Sequence, residues 1–345
     1  MIIFRADGNS QIGTGHIMRC LSIADAARES GEESLFIVSD EKCLKLIESR
    51  GHNCIVLDSD YLKMKSDELY PFIDTYKPSA IIVDSYYVVD EYMKALQIKC
   101  DKDTKLVYID DRCIYPYFCD VLINYNVFGN EQDYIKLYGS NKNVKFLIGI
   151  KYAPLRSEFQ FCKRVQKSKS NKILISTGGA DAEHFTIDLI EEAKKYSKYS
   201  FDIVVGMMNP DGDIINNKTA GIDNIVIRKN VKKMHELMIS CDVAISASGS
   251  TLYELCATQT PTITYILADN QIPAAEEFNK RGLIKNCGDI RVKGKKIMAK
   301  EVIEEAIKLA ENFELRKKIA DKMSVLVDGK GASRIIDVIT GCGQR

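Results

Sequence analysis

The sequence predicts an α/β protein made of two similar halves, and three observations support this prediction. Short apolar runs rich in β-branched residues alternate along the chain with longer segments of helical periodicity. The length of 345 residues is about twice that of an ordinary single domain. A polar segment near the middle interrupts the alternation. Because strand and helix repetition of this kind builds doubly wound parallel sheets, we expect two Rossmann-like domains that face a central cleft.

The first half contains six apolar runs that fit strands buried on both faces of a sheet. They lie at residues 2–4, 33–38, 54–57, 80–83, 105–109 and 121–123. Residues 16–30 have the wide apolar face of a helix, and Gly31 follows where a C-cap glycine is expected. The alternation breaks at residues 151–170, which we interpret as the interdomain segment. Residues 1–155 are therefore predicted to form the first domain.

The second half repeats the pattern. Strands are predicted at residues 172–176, 201–205, 225–227, 243–246 and 262–265, and helices at 182–196, 231–239, 250–258, 273–281 and 300–311. We assign residues 156–345 to a second domain, and we expect the last helix to pack back on the first one.

Composition and charge argue against several classes of protein. Lys and Arg total 48, as do Asp and Glu, and the basic clusters are short, so we expect no nucleic-acid partner. No apolar run approaches the roughly 20 residues that span a bilayer, and the first residues lack a signal peptide, which predicts a cytoplasmic protein without membrane contact. The 11 cysteines and four histidines show no metal-ligand spacing. We expect reduced thiols, no metal, no cofactor and no obligate protein partner.

The sharpest motif is the loop at residues 5–16, which leaves the first strand, turns on glycines and enters a helix. Gly13 and Gly15 allow the backbone to approach an anion or a sugar, and the free N–H groups of the helix start favour negative charge. His16 falls in the first helical turn, where the helix dipole disfavours an imidazolium, so we expect a neutral ring able to accept a proton. The alternative is that His16 packs under the loop and the glycines only form the turn. The motif is neither a dinucleotide fingerprint, since Met18 replaces the third glycine, nor a P-loop.

A second loop of small residues, at 246–254, also follows a strand and enters a helix. Its N–H groups and the hydroxyls of Ser250 and Thr251 suit a diphosphate, and Glu254, one turn later, suits the ribose hydroxyls. The alternative is a capped helix with an exposed glutamate.

Four further segments end strands or open helices. Residues 268–273 and 178–181 fit either simple turns and caps or additional walls of the same site. Residues 84–87 and the pair Asp110 and Asp111 end strands, where side chains face the predicted cleft. A metal shared by this pair is not expected, because adjacent strand residues point to opposite faces.

These motifs resemble the UDP-sugar hydrolases of pseudaminic acid biosynthesis, whose fold is similar to the glycosyltransferases with two Rossmann domains, the GT-B fold. The matching segments occur in the family's order, at residues 5–7, 12–21, 152–159, 178–181, 249–254 and 268–271. The resemblance implies hydrolysis of UDP-2,4-diacetamido-2,4,6-trideoxy-β-L-altropyranose at the anomeric carbon, with inversion, to UDP and the free sugar. By the same match His16 is the catalytic base and Tyr86 lies beside the sugar, although Tyr87 is open as an alternative.

The resemblance also implies a set of substrate-binding residues. Arg156, Glu254 and Asn270 would hold the nucleotide or the sugar, and the two small-residue loops would surround the diphosphate. The full predicted set is Arg5, Asp7, Gly13, Thr14, Gly15, Tyr86, Arg156, Gly178, Gly179, Gly249, Ser250, Thr251, Glu254, Asn270 and Gln271.

UDP is a good leaving group when amides and helix N-termini stabilise its charge, so the predicted reaction needs an activated water and no metal. Three other functions fit the same fold. A glycosyltransferase would use an acceptor hydroxyl instead of water, a UDP-sugar 2-epimerase would release an epimer or a glycal, and a sensor would bind the nucleotide sugar and leave it intact.

Overall fold

The computed structural model describes residues 1–9, 12–139, 143–206 and 208–341. The chain divides into two compact units, one of Met1–Ser157 with Gly329–Arg345 and the other of Glu158–Asp328. Among the described residues, no helix has both the length and the apolar character required to cross a bilayer.

The described residues of the first unit form seven strands and, in its continuous part, five α-helices. The strands are β1 (Ile2–Ala6), β2 (Ser34–Val38), β3 (Asn53–Val56), β4 (Ala80–Asp84), β5 (Lys105–Ile109), β6 (Val121–Asn124) and β7 (Lys145–Ile148). The helices are α1 (Gly15–Glu29), α2 (Leu44–Ser49), α3 (Tyr70–Tyr76), α4 (Asp90–Lys99) and α5 (Glu131–Tyr138). All strand pairs are parallel, in the order β3-β2-β1-β4-β5-β6-β7.

The order of this sheet creates a switch point between β1 and β4. Both strands are buried along their whole length, as expected for central strands covered by helices on both faces. The connections that follow β1 and β4 depart in opposite directions, which leaves a crevice at the carboxyl ends of these two strands. The loop to α1 and the segment after Asp84 meet at this crevice.

The second unit repeats this architecture, with six strands and eight α-helices in the part of it that the structure describes. The strands are β8 (Lys172–Ser176), β9 (Ser200–Val205), β10 (Ile225–Lys229), β11 (Val243–Ala247), β12 (Thr262–Ile266) and β13 (Ile284–Asp289). The helices are α6 (Phe185–Ala193), α7 (Gly212–Thr219), α8 (Met234–Ser240), α9 (Thr251–Ala257), α10 (Ile272–Lys280), α11 (Ile290–Lys293), α12 (Lys295–Glu311) and α13 (Phe313–Ser324). The sheet is parallel, in the order β10-β9-β8-β11-β12-β13, with its switch point between β8 and β11.

The last helix, α14 (Gly331–Thr340), belongs to the first unit, where it packs against α1 and the short helical turn Ile150–Tyr152. A side chain at Gly331 would approach the carbonyl oxygen of Ala153 to 2.1 Å, so only glycine allows this close packing. The polar segment after Ser157 is held by the second unit, because Arg164 donates to the carbonyl oxygens of Cys241 at 2.6 Å and Thr258 at 3.2 Å.

The predicted fold class is confirmed, since two parallel sheets alternate with helices. The eleven predicted strands are present, and the sequence patterns missed β7 and β13. Both missed strands are edge strands of mixed burial and therefore lack the continuous apolar run of a central strand.

Candidate active site

The loop after β1 is stabilised by a buried ion pair between Arg5 and Asp7. The Arg5 guanidinium, which is fully buried, donates to Asp7 at 2.5 Å and to the Ser39 hydroxyl at 2.6 Å. The other Asp7 oxygen accepts the Ser39 backbone N–H at 2.7 Å. In this structure Arg5 lies behind the loop and fixes Asp7, which lines a small pocket.

The glycine turn itself closes by a short antiparallel bridge between Asn9 and Gly13. The Gly13 N–H donates to the Asn9 carbonyl at 2.8 Å, and Gly13 has a φ of +74°, which glycine adopts without strain. A Cβ added at Gly13 or Gly15 would meet no heavy atom of the described residues within 4 Å, so open space lies beside both positions in this part of the chain. Ser10 and Gln11, within this loop, lie outside the described residues.

His16 is the second residue of α1, directly after Thr14 and Gly15. Its ring is 7% exposed, and Nδ1 lies 2.6 Å from Oδ1 of Asp84, the last residue of β4. Arg19 Nη2, which carries two protons, donates to Asp84 Oδ1 at 2.5 Å and also lies 3.1 Å from the same Nδ1. An ionised carboxylate has no proton to donate, so the bond between His16 and Asp84 requires the proton to be on Nδ1. Nδ1 therefore donates to the carboxylate, and Nε2 on the opposite side of the ring is left able to accept a proton.

Asp84 is fully buried and is held as a carboxylate by its neighbours. Burial alone would raise its pKa, but the Arg19 guanidinium and the His16 ring outweigh burial, so the pKa of Asp84 lies well below its usual range. The negative charge opposes the effect of the helix dipole on His16. The Asp84 carboxylate stabilises the imidazolium that forms when the ring takes up a proton, as the carboxylate does in other catalytic pairs of histidine and aspartate.

Tyr86 lies against His16. The two rings are 4.6 Å apart between centroids and meet edge to face at 80°. The Tyr86 hydroxyl donates to Asp111 at 2.9 Å, and the Arg112 guanidinium lies 5.4 Å from the Tyr86 ring centroid. Tyr87 instead packs on Tyr61 and is 39% exposed. Tyr86 is thus the tyrosine in contact with His16, although both line the same pocket.

The pocket beside His16 belongs wholly to the first unit. Its lining residues are Asp7, Ile12, His16, Asp84, Ser85, Tyr86 and Tyr87. They come from the connections after β1 and β4, the two strands at the switch point of the sheet. Asp7, His16 and Tyr86, three of the residues predicted from sequence, are therefore brought together here.

Asp110 and Asp111 face different partners, as their adjacency requires. Asp110 accepts the Tyr134 hydroxyl at 2.9 Å and the backbone N–H groups of Arg112 and Cys113. Asp111 accepts from Arg19, Tyr86 and Asn126. Only Asp111 lies next to the candidate site.

The remaining predicted residues, apart from Arg156, belong to the second unit. Gly178 and Gly179 turn directly after β8, and Gly178 has a φ of +93°. A side chain at Gly206 would lie 2.3 Å from the Gly179 carbonyl oxygen, so the loop after β9 packs tightly on this turn. Asp181 accepts the N–H groups of Phe185 and Thr186 at 3.0 and 2.9 Å, which caps the start of α6.

The loops after β11 and β12 meet at the same edge of the second sheet. Ser250 precedes α9 without a side-chain capping bond, so its exposed hydroxyl is not used at the helix start. A Cβ at Gly249 would lie 4.0 Å from Gln271 Nε2, and Gln271 Oε1 accepts the Leu267 N–H at 2.9 Å. Thr251 and Glu254 are half-buried on α9, and Asn270 is exposed. Because β8, β11 and β12 are neighbours, their loops form one group.

Arg156 is half-buried and lies in the first unit, one residue before the boundary at Ser157. Among the described residues, no group of three His, Cys, Asp or Glu side chains is arranged to hold a metal ion. Whether the reaction needs a metal stays a prediction.

The sequence patterns missed the residues that surround His16. Arg19 lies one helical turn after His16, and a residue at i+3 shares its helix face, which was an available signal. Asp84 was noted only as a strand end. Its contact with His16 depends on β4 pairing with β1 and not with β3, and a single sequence does not specify that order.

Comparison with known proteins adds a second line of observation. No protein-family model matches the chain. The chain is 27% identical over 80% of its length to the uncharacterized protein MJ1062 of Methanocaldococcus jannaschii, of which the match covers 57%. It is 27% identical over 71% of its length to a protein of Campylobacter jejuni named UDP-2,4-diacetamido-2,4,6-trideoxy-beta-L-altropyranose hydrolase, of which 86% is covered. The resemblance found in the motifs is confirmed.

A third relative is a longer protein of Helicobacter pylori, named as a pseudaminic acid cytidylyltransferase and the same UDP-sugar hydrolase. The identity is 24% over 79% of this chain, and the match covers 46% of the relative. The chain therefore spans about half the length of this protein and of MJ1062.

Solved structures of the same fold include glycosyltransferases and an epimerase. MurG of Acinetobacter baumannii matches with a TM-score of 0.68 at 13% identity, over 99% of both chains. A putative UDP-N-acetylglucosamine 2-epimerase of Listeria monocytogenes matches with a TM-score of 0.65 at 12% identity, over 99% of this chain and 96% of its own. At such identities these matches show a GT-B-like fold and nothing more.

Proposed function

We propose that the protein hydrolyses a UDP-activated diacetamido-trideoxy sugar of the pseudaminic acid pathway, with His16 as the base. The observation that carries the proposal is the pair formed by His16 and the buried Asp84. It leaves Nε2 as a proton acceptor beside a glycine loop, in a chain similar to proteins named as hydrolases of such a substrate.

In the proposed reaction a water molecule attacks the anomeric carbon while the bond from that carbon to the phosphate oxygen breaks. His16 Nε2 takes the proton of the water, and the leaving UDP carries the electron pair of the broken bond. The free sugar has the inverted anomeric configuration because attack and departure occur on opposite faces. Asp84 stabilises the imidazolium through Nδ1.

We propose that the second unit binds the nucleotide. Support comes from the glycine turn after β8 and the loops after β11 and β12, which lie together at one edge of its sheet. Backbone N–H groups at Gly249 and Ser250 suit a diphosphate, and Glu254 suits the ribose hydroxyls. Arg156 and Asn270 are proposed as further contacts to the nucleotide or the sugar.

The test is an assay of the purified protein with UDP-2,4-diacetamido-2,4,6-trideoxy-β-L-altropyranose alone, in which NMR follows UDP and the anomeric configuration of the sugar. We expect His16→Asn to lower turnover by about 10² to 10⁴, the usual effect of losing a positioned base, with UDP affinity nearly unchanged. His184→Asn is the matched control, because His184 is largely exposed in the second unit and pairs with Asp211. Wild-type turnover in His16→Asn would show that His16 is not the base.

A glycosyltransferase is the second candidate, since MurG shares the fold. The same assay distinguishes the two functions by the rate at which UDP is released without an acceptor. A transferase without an acceptor releases UDP very slowly, whereas the proposed hydrolase releases UDP and free sugar in equal amounts. An epimer or a glycal as product would instead indicate 2-epimerase chemistry.

A further inference from the structure

The buried guanidinium of Arg19, next to the pocket, makes several hydrogen bonds to acidic and tyrosine side chains. Arg19 is 8% exposed and lies one turn after His16 on α1. Its Nε and Nη2 donate to the two oxygens of Asp84 at 2.6 and 2.5 Å. Its Nη1 donates to both oxygens of Asp111, at 3.0 and 2.9 Å, and to the Tyr125 hydroxyl at 3.1 Å. One planar group therefore bridges two carboxylates.

Each of these carboxylates holds one of the two rings at the pocket. Asp84 accepts from His16 Nδ1 at 2.6 Å, and Asp111 accepts from the Tyr86 hydroxyl at 2.9 Å. The two rings then meet edge to face, 4.6 Å apart. The two rings are thus connected through both carboxylates and the single guanidinium between them, and Arg19 Nη2 also lies 3.1 Å from His16 Nδ1 directly.

We propose that Arg19 is a positioning residue that fixes His16 and Tyr86 relative to each other through Asp84 and Asp111. The inference rests on the proposed function, because it concerns the geometry of the same site. A planar guanidinium is needed for this role, since it contacts both oxygens of Asp84 and both oxygens of Asp111 at fixed angles, whereas a lysine ammonium has only three donors on one atom. Buried ion pairs are weak evidence for stability, so a function in orientation explains this network better than a function in folding.

Arg19→Lys keeps the positive charge and removes the planar guanidinium with its Nε, Nη1 and Nη2 donors. We expect kcat to fall by about 10- to 100-fold, the order expected from misplacing a reacting group by about 1 Å, with UDP affinity within twofold of wild type. Arg28→Lys is the matched control, because Arg28 lies on the same helix and also pairs with an aspartate, Asp25, at 3.0 Å, away from the pocket. Arg28→Lys should retain the wild-type kcat. A kcat within twofold of wild type in folded Arg19→Lys would overturn the proposal.

A double-mutant cycle covers the case in which Arg19→Lys does not fold. Asp111→Asn and Tyr86→Phe each break the hydrogen bond between these two residues, at a position that is less buried than Arg19. If Asp111 acts by holding Tyr86, the double variant is no slower than the slower single variant. Fully multiplicative losses in kcat would show that Asp111 does not act through Tyr86, which contradicts the proposed role.

A measurement without substrate separates this inference from the proposed function. The chain has four histidines, so the His16 ring signals can be assigned by NMR with His16→Asn as reference. We expect a strongly downfield Nδ1–H signal, as for a bond to a carboxylate, which shifts in Arg19→Lys and not in Arg28→Lys. An unshifted signal in Arg19→Lys overturns the positioning role. If the wild-type protein releases no UDP while the signal shifts as expected, the proposed function fails and the positioning role stands.

Discussion

Replacing Asp84 by asparagine removes the one charge that both orients His16 and neutralises Arg19. The carboxylate receives three N–H donors, one from His16 and two from Arg19. An amide offers a single oxygen in their place. If that oxygen faces Arg19 Nε, the amide NH₂ faces His16 Nδ1, and the ring must carry its proton on Nε2. In that tautomer the ring cannot accept a proton from water, so the variant loses the base without losing the imidazole.

The size of the effect follows from the same contacts. We expect Asp84→Asn to lower kcat by about 10² to 10⁴, because a wrongly protonated histidine is equivalent to a missing base. Breaking a buried ion pair costs about 3–5 kcal/mol, and the lower value applies here since Asp111 still pairs with Arg19. At about 2–4 °C per kcal/mol for a unit of this size, the unfolding temperature of the first unit falls by roughly 6–12 °C.

The assay combines turnover of the UDP-sugar with thermal unfolding of the same preparation. Measurements at 15 °C keep the variant folded, so the loss of kcat reports on the site and not on the folded fraction. UDP affinity by calorimetry is the control, because the nucleotide is proposed to bind the second unit. A folded Asp84→Asn protein with wild-type kcat would refute the reasoning that this carboxylate sets the tautomer of His16.

Three other predictions concern separate parts of the molecule. Glu254→Ala should raise the Kd of UDP more than it lowers kcat, and an unchanged Kd by calorimetry would remove Glu254 from the ribose site. Burial, followed by Arg28 and Arg50, lowers the pKa of His52 from its ordinary value to about 4. The unfolded chain therefore binds more protons between about pH 6.5 and 4, and the free energy of unfolding should fall by about 3 kcal/mol as pH decreases through this window, but not in His52→Gln. Gly206→Ala should cost about 1–3 kcal/mol and weaken UDP binding, because its methyl group would displace the Gly179 carbonyl. Gly212→Ala, whose methyl group would make only an ordinary contact with Lys229 Nζ at 3.6 Å, should do neither in a melting and titration series.

Local patterns predicted the elements of the fold well because the central strands of both sheets are buried on two faces. Such strands need unbroken apolar runs, as in Ala80–Asp84 and Val243–Ala247, and these are readable from a single sequence. Edge strands such as Ile284–Asp289 alternate buried and exposed positions irregularly, so they gave no such signal. The return of the last helix to the first unit depends on the contact between Gly331, at the start of that helix, and Ala153, which is far from it in sequence.

The candidate site was predictable only where one motif carries its own geometry. The loop from β1 to α1 has a strand end, glycines and a histidine in consecutive positions, so its conformation and the location of His16 follow from local rules. The partners of His16 and Arg19 come from β4 and from the segment after β5, more than 60 residues away. These residues come together only because of the strand order in the sheet, and a sequence pattern does not predict the strand order.

The candidate residues of the two sheets lie at equivalent positions. The same architecture can therefore support the two roles that we propose, proton transfer in one unit and anion binding in the other. Each sheet reverses its strand order once, between β1 and β4 or between β8 and β11, and the loops that follow these strands are the ones that diverge. In the first unit this position contains a histidine that is hydrogen-bonded to a buried carboxylate, the arrangement that we propose transfers a proton. In the second it contains glycines and small hydroxyl residues, which expose backbone N–H groups and suit a phosphate. Exchanging the chemistry between the units would require a buried carboxylate at the end of β11, where the chain has the small residues Ala247 and Ser248. The proposed division between proton transfer and anion binding therefore rests on the side chains at the two switch points and not on the fold that the two units share.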